Sequence, residues 1–141
     1  MQRLKKSKNK HLIYTSEPVD FNDKVVNDIL GSSRANNSEN DITGALIFRL
    51  DLYLQFLEGP EEKLDEVYKK IKLDNRHTNI HKLKEDFTER RIFSTWAMRG
   101  DPVRTWMWSH QDIKNGILTK LSPNDSFKVF DRISREIDQF N

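Results

Sequence analysis

The chain has 141 residues, with 24 lysines and arginines against 22 acids, a formal net charge of +2 and no cysteine. That length suits one compact domain, or one domain with a short helical extension. Nearly balanced charge names no polyanionic partner, and the lack of cysteine excludes a disulfide framework, a thiolate metal site and a cysteine nucleophile.

The first ten residues carry Arg3, Lys5, Lys6, Lys8 and Lys10. They read as a solvated basic segment, with a nucleic-acid or membrane-surface arm as the alternative. No apolar stretch follows, so they do not form a signal peptide, and no apolar run is long enough for a bilayer. The expected location is the cytosol. His11 to Ser16 then reads as a short strand that Pro18 ends. Asp20 is placed to cap a first helix whose inner face is Phe21, Val25, Val26, Ile29 and Leu30, running to about Arg34. Ala35 to Asp41 is expected to be a polar loop. Ile42 to Arg49 and Leu52 to Glu58 read as two strands joined by a tight turn at Leu50-Asp51.

Gly59-Pro60-Glu61-Glu62 opens a second helix, with proline suited to its first position and acids to its positive end. Leu64, Val67, Tyr68 and Ile71 form its apolar stripe, and Lys69, Lys70 and Lys72 crowd its C-terminal end. After a loop over Asp74 to Asn79, Ile80 to Thr88 is charged enough to be an edge strand, and Trp96 to Gly100 reads as a fifth strand. A shorter helix is expected within His110 to Leu121. Ser122-Pro123-Asn124-Asp125 then starts a final helix striped by Phe130, Ile133, Ile137 and Phe140. This order is that of an α+β, ferredoxin-like βαββαββ sandwich with two C-terminal helices. Those helices are left to cover the free face of the sheet or to bind a partner.

One residue stands out. Gln55 sits among Leu52, Tyr53, Leu54, Phe56 and Leu57 in a strand that reads as buried. Its amide has two donors and two acceptor lone pairs, and burying them unpaired would cost about 1–3 kcal/mol. It needs a partner from the protein or from a ligand, and Tyr14 in the first strand is a candidate.

Tyr14 in Leu-Ile-Tyr-Thr-Ser, Asn36-Asn37 ahead of Ile42-Thr43-Gly44, Gln55 in Leu-Gln-Phe-Leu-Glu-Gly-Pro, Asn75-Arg76-His77 and Trp96-Ala97-Met98 together resemble the signature of BLUF domains, blue-light sensors that bind a flavin. The resemblance covers about residues 10 to 102. It implies a basic segment over 1–10, a flavin-binding domain over 11–102 and a helical extension over 103–141. It implies FAD or FMN as cofactor, held between the two helices on one face of the sheet, with Ile29 and Ile71 sandwiching the ring. Asn37 would bind the ring's pyrimidine edge, and Gln55 would bridge the flavin to the Tyr14 hydroxyl. Lys70, Arg76 and His77 would lie near the flavin tail or ring edge. Blue light would draw an electron and a proton from Tyr14 through Gln55, leaving that amide rotated, tautomerised or both. No bond to the protein forms, so no cysteine is needed. Strand five, with either Trp96 or Met98 turned inward, would pass the change to the terminal helices. It further implies a non-enzymatic photoreceptor with a downstream protein partner. Apolar surface on the terminal helices favours self-association, and neither a membrane nor a nucleic acid is expected as partner.

Other readings compete with this one. Tyr14, Asn37, Trp96 and Met98 taken singly are ordinary core or turn residues. His77 and His81 have the spacing of helical metal ligands, but Thr78-Asn79-Ile80 between them reads as a loop entering a strand. Trp106-Met107-Trp108 has only Arg104 nearby among basic residues, which favours packing over base stacking. The alternatives for the whole chain are a flavin-free ferredoxin-like enzyme and an RNA-binding module. No phosphate-cradling glycine loop and no aromatic platform on the central strands speaks for either.

Overall fold

The computed structural model describes residues 8–136. The five strands are β1 (Asn9–Pro18), β2 (Thr43–Arg49), β3 (Leu52–Pro60), β4 (His77–Phe87) and β5 (Arg99–Pro102). The helices are α1 (Asp23–Glu39), α2 (Glu61–Leu73), α3 (His110–Lys114) and α4 (Pro123–Arg135), with a 3₁₀ turn at Leu118–Lys120. The sheet order is β4-β1-β3-β2-β5. Each neighbouring pair among β1 to β4 is antiparallel, as in the expected ferredoxin-like core, and β5 adds to β2 in parallel.

Side chains alternate across β3, so Tyr53, Gln55 and Leu57 face one side while Leu54, Phe56 and Glu58 face the other. Helices α1 and α2 cover the first side, where Val26, Leu30, Leu64, Val67 and Tyr68 pack on Leu12, Tyr14, Leu46, Tyr53, Leu57 and Met98. The C-terminal elements cover the second side, where Leu118, Phe130 and Ile133 pack on Ile13, Ile47, Leu54, Phe56 and Phe93. The terminal helices thus bury the sheet's other face. Trp106, Met107 and Trp108 pack against this second core. The Trp106 indole donates to Glu136 at 3.3 Å, and the Arg132 guanidinium lies 3.8 Å from the Trp106 ring centre. Ile137 and Phe140, and most of the basic segment, lie outside the described residues.

Several boundaries differ from the sequence expectation, each for a local reason. Helix α1 is capped by Asn22, whose side chain accepts from the Val25 amide at 2.9 Å, whereas Asp20 adopts a left-handed φ of 51° ahead of the helix. It runs to Glu39 rather than Arg34, so Asn36 and Asn37 are helical and not in a loop. Asparagine is a poor helix former, but here the final turn is tied by its own groups: the Asn40 side chain donates to the Asn36 carbonyl at 2.7 Å, and the Ile42 amide to the Asn37 carbonyl at 2.9 Å. Pro60 sits at the cap of α2, one residue before the expected position. Strand β4 starts at His77, taking in residues expected to be loop. Strand β5 starts only at Arg99, so Trp96 and Met98 lie in the irregular segment before it. Their backbone groups go elsewhere: the Trp96 carbonyl accepts from the Gly44 amide at 3.0 Å and the Met98 carbonyl from the Arg34 guanidinium at 3.0 Å. Gly44 is required there, because any side chain on it would collide with the Phe56 carbonyl.

Candidate functional site

A cleft opens between α1 and α2 with the sheet as its floor. One lobe, of about 380 Å³, is lined by Tyr14, Ile29, Ser33, Leu46, Tyr53, Gln55, Ile71, Asp74, Arg76 and His77. A second, of about 510 Å³, adds Asn36, Asn37, Asn40, Leu57, Val67 and Lys70 while sharing Ser33, Gln55, Ile71, Asp74 and Arg76.

The centre of the floor is polar. β1 and β3 pair with Tyr14 opposite Gln55, which places both side chains on the α1/α2 face. The Tyr14 hydroxyl donates to the Gln55 carbonyl oxygen, and the Gln55 amide nitrogen donates to the Met98 sulfur at 3.4 Å. Sulfur is a weak acceptor, so that N–H keeps most of its capacity for a better one. Burial pushes the Tyr14 phenol far above its ordinary range, with Tyr68, Asp74 and Tyr53 adding to the shift, so it holds its proton at neutral pH. The Tyr53 hydroxyl faces the first lobe; it is buried and has no partner among the described residues.

The walls and rim complete the picture. Ile29 on α1 and Ile71 on α2 are half-buried and flank the cleft. Asn37 is 2 % exposed, and its side-chain N–H donates to the Ala97 carbonyl at 2.8 Å. That bond uses one of two N–H groups, leaving the other and the carbonyl oxygen to offer to the second lobe. At the rim, Arg76 chelates Asp74, with contacts of 2.9 and 2.5 Å, and this holds the Asp74 carboxyl below its usual range. His77 donates from Nε2 to the Ile71 carbonyl at 2.7 Å, which leaves Nδ1 to accept the Ser16 hydroxyl at 2.7 Å. It therefore braces the end of α2 against β1. Lys70 is exposed at the edge of the second lobe.

Of the residues named from sequence, Tyr14, Ile29, Asn37, Gln55, Lys70, Ile71, Arg76 and His77 line this one cleft, and Met98 closes it from behind Gln55. Trp96 does not reach it; its ring packs with the core of the opposite face. Of the two inward candidates, Met98 is the one beside Gln55, with no exposed surface. Sequence reading missed Ser33, Tyr53 and Asp74, which carry no signal of their own. It also passed over Glu58, which stood in the sequence as a lone charge in an apolar strand. His77 and His81 both lie on the extended strand β4, which removes the helical spacing a metal site required. Glu17 bonds Asn79 at 2.9 Å, away from the cleft.

A cleft with isoleucine walls, an under-used amide donor and a phenol without a partner among the described residues suits a flat heteroaromatic ring with polar edges, as an oxidised flavin has. Residues 10–99 match the family model described as BLUF, sensors of blue-light using FAD. The chain belongs to the BLUF family. It is a flavin-binding blue-light sensor, and with that match neither the flavin-free enzyme nor the RNA-binding module is retained. It is 36% identical over 92 residues to the blue light- and temperature-regulated antirepressor BluF of Escherichia coli (strain K12), covering 62% of this chain and 22% of that protein. The structure of a bacterial light-regulated adenylyl cyclase superposes with a TM-score of 0.66 at 34% identity, over 88% of this chain and 36% of that one. BlrB, a BLUF protein in its dark state, superposes with a TM-score of 0.79 over 93% of this chain and 98% of its own; at 24% identity it shows the shared fold. This chain thus spans about a fifth of the antirepressor and a third of the cyclase.

Proposed function

We propose that this BLUF protein senses light through the Tyr14–Gln55–Met98 chain and reports it through its C-terminal helices. The observation that carries the proposal is the hydrogen-bonded line from the Tyr14 hydroxyl through the Gln55 amide to the Met98 sulfur, on the floor of the cleft between α1 and α2. The cofactor would lie between Ile29 and Ile71, with Asn37 at one ring edge and Lys70 and Arg76 towards its tail. FAD and FMN fit this chemistry equally. When bound, an oxidised flavin excited by blue light supplies a one-electron acceptor.

The residues do the rest. Tyr14 gives up an electron, its proton moves along the hydrogen bond onto the Gln55 carbonyl oxygen, and both return on recombination. An amide is suited to this because its two ends differ in kind, so rotation or tautomerisation exchanges donor for acceptor without a net charge left behind. The reset Gln55 changes what it offers to Met98, which leads directly into β5. Arg99 on β5 donates to the carbonyl of Ile133 at 3.0 Å, near the end of α4. That bond supports an output running from β5 to residues 103–141, with residues 11–102 as the sensing unit. The recipient is a separate partner protein or a second copy of the chain, and the chain itself performs no catalysis. Among the described residues no helix is long and apolar enough to cross a membrane, and we place the protein in the cytoplasm.

The deciding experiment is a visible absorption spectrum of purified protein, dark and after blue light. A flavin spectrum that shifts reversibly to the red is expected. Protein saturated with flavin that shows no shift would overturn the Tyr14–Gln55 mechanism.

A further inference from the structure

Glu58 stands three residues beyond Gln55 on β3 and points to the opposite face of the sheet. It has no exposed surface. Its carboxylate accepts the backbone N–H of Ile92 at 2.9 Å, that of Phe93 at 2.7 Å and the Thr43 hydroxyl at 3.2 Å. Arg91 stands beside this group, donating to the Thr43 hydroxyl at 3.2 Å and to the Asp41 carbonyl at 2.8 Å. A buried carboxylate is expensive unless its oxygens are filled, and here they are filled by the main chain of one irregular segment.

That segment leads to the cleft. From Ile92 and Phe93 the chain turns, with the Trp96 amide donating to the Phe93 carbonyl at 3.0 Å. The Trp96 carbonyl is then held by Gly44 and the Ala97 carbonyl by Asn37, and Met98 arrives under Gln55. Glu58 fixes where this stretch begins, and the cleft residues fix where it ends. Met98 is the protein acceptor recorded for the Gln55 N–H. Its position therefore weighs on the two arrangements of the Gln55 amide, and a small bias between two states shifts their populations and interconversion.

We propose that Glu58 is a positioning residue for the photocycle: through the Ile92 and Phe93 amides it sets the path of residues 92–98 and so the place of the Met98 sulfur against Gln55. The inference rests on the Tyr14–Gln55 reading above. Glu58 touches neither the cleft nor Gln55, so it acts through backbone placement alone.

Glu58→Gln in the flavin-loaded full chain tests it. The substituted amide keeps one acceptor oxygen but turns an NH₂ towards backbone donors, which frees one end of the segment. Flavin content and the dark spectrum should match the unsubstituted protein, while dark recovery after a blue pulse should quicken by about threefold or more, because a looser Met98 lowers the barrier to turning the packed amide. In a Met98→Leu background the same substitution should have no further effect on recovery. Unchanged or slower recovery overturns the proposal, as does equal acceleration in both backgrounds. A lowered melting temperature with an unaltered photocycle also overturns it, since that is what a purely structural anchor gives. If Glu58→Gln does not fold, Thr43→Val removes one of the carboxylate's donors and should quicken recovery by a smaller factor; no change there overturns it. Absence of any red shift in the unsubstituted protein would instead sink the light-sensing mechanism, so the two failures are distinguishable.

Discussion

The two faces of one sheet have been built for different ends. On the α1/α2 face, Tyr14, Asn37, Tyr53 and Gln55 bring polar groups into an apolar core and a cleft is left open above them. On the C-terminal face the space is filled: Phe56, Phe93 and Phe130 pack with ring centres 5.4 to 6.3 Å apart, and all three are almost without exposed surface. A single strand feeds both, since Gln55 faces the cleft and its neighbour Phe56 faces the aromatic core. Site and proposed output need not touch by side chain. What joins them is the segment from Ile92 to Met98, which leaves one face and returns on the other, followed by β5.

Beyond β5 the link is electrostatic. Arg99 and Asp101 are both buried and lie 3.1 Å apart, and Asp101 also receives Arg104 at 2.9 Å, which in turn reaches Glu136 at 3.0 Å. Such buried pairs are weak sources of net stability but costly to break singly. They tie the strand that follows Met98 to the end of α4, in a geometry that resists being half-made.

The largest expected effects separate the faces outright. Gln55→Leu keeps the bulk of the side chain and removes every donor and acceptor, so protein carrying it should bind flavin and show no lasting red shift. Tyr14→Phe should do the same by removing the phenolic proton. A normal, reversible shift in either variant would break the proposed chain of residues. On the other face, Phe130→Ala should cost about 3–5 kcal/mol in unfolding free energy, as for a large buried aromatic, while leaving the light response of the surviving folded protein intact. Denaturant melts paired with difference spectra would read both.

Next in size is Asn37→Ala. It removes the bond to the Ala97 carbonyl and leaves polar groups unpaired, at about 1–3 kcal/mol, and should show as weakened flavin retention. Full occupancy with unchanged affinity would remove Asn37 from the cofactor site. Smaller again is Met98→Ala, which should keep most of the red shift but reduce the light–dark difference in hydrogen exchange over residues 103–136. Undiminished differences would argue for a route other than β5.

Much of this was legible in the sequence because two periodicities carry it. The alternation in β1 to β3 and the stripes of α1 and α2 follow from burial on one side, and Gln55 declared itself as an amide where alternation demanded an apolar core. Glu58 obeyed the same rule three residues on, yet at a strand end a charge looks solvated, and only the fold shows which backbone donors come to it. The end of α1 was misplaced because Asn36 and Asn37 read as loop formers; the caps that override that preference come from Asn40 and from the turn into β2. Strand β5 was hardest. Arg99-Gly100-Asp101-Pro102 has the composition of an exposed turn, yet it is a strand with Arg99 and Asp101 buried, where the two neutralise each other at 3.1 Å and Arg104 joins them. Nor could spacing decide between Trp96 and Met98, since the segment holding them is irregular and alternation does not apply.

The smallest expected effect on the light response, none at all, goes with a pH effect that belongs to the filled face alone. His11 on β1 is 6 % exposed and packs against Phe56 and Phe127, with ring centres 5.5 and 5.4 Å away. Burial, with the adjacent Lys84 ammonium adding to it and Asp86 opposing it, lowers its pKa from 6.5 to about 4. Lys84 donates to its Nε2 at 2.9 Å, a bond that requires the neutral ring. In the unfolded chain the imidazole takes up a proton near pH 6.5, whereas in the folded protein it resists until about pH 4. The unfolded state therefore binds more protons within that window, and stability is full above it and falls as pH drops through it. At about 1.4 kcal/mol for each pH unit of that window, the loss should be about 3 kcal/mol, or roughly 10 °C in melting temperature. His11→Phe should flatten this part of the melting curve against pH, and the flavin spectrum should stay constant across it because His11 does not reach the cleft. The same slope in the variant would assign the acid sensitivity to carboxylates such as Asp51 and Asp74, whose partners hold them below their ordinary range. A flavin spectrum that moved with His11 titration would instead show that the two faces communicate through β1 as well as through β5.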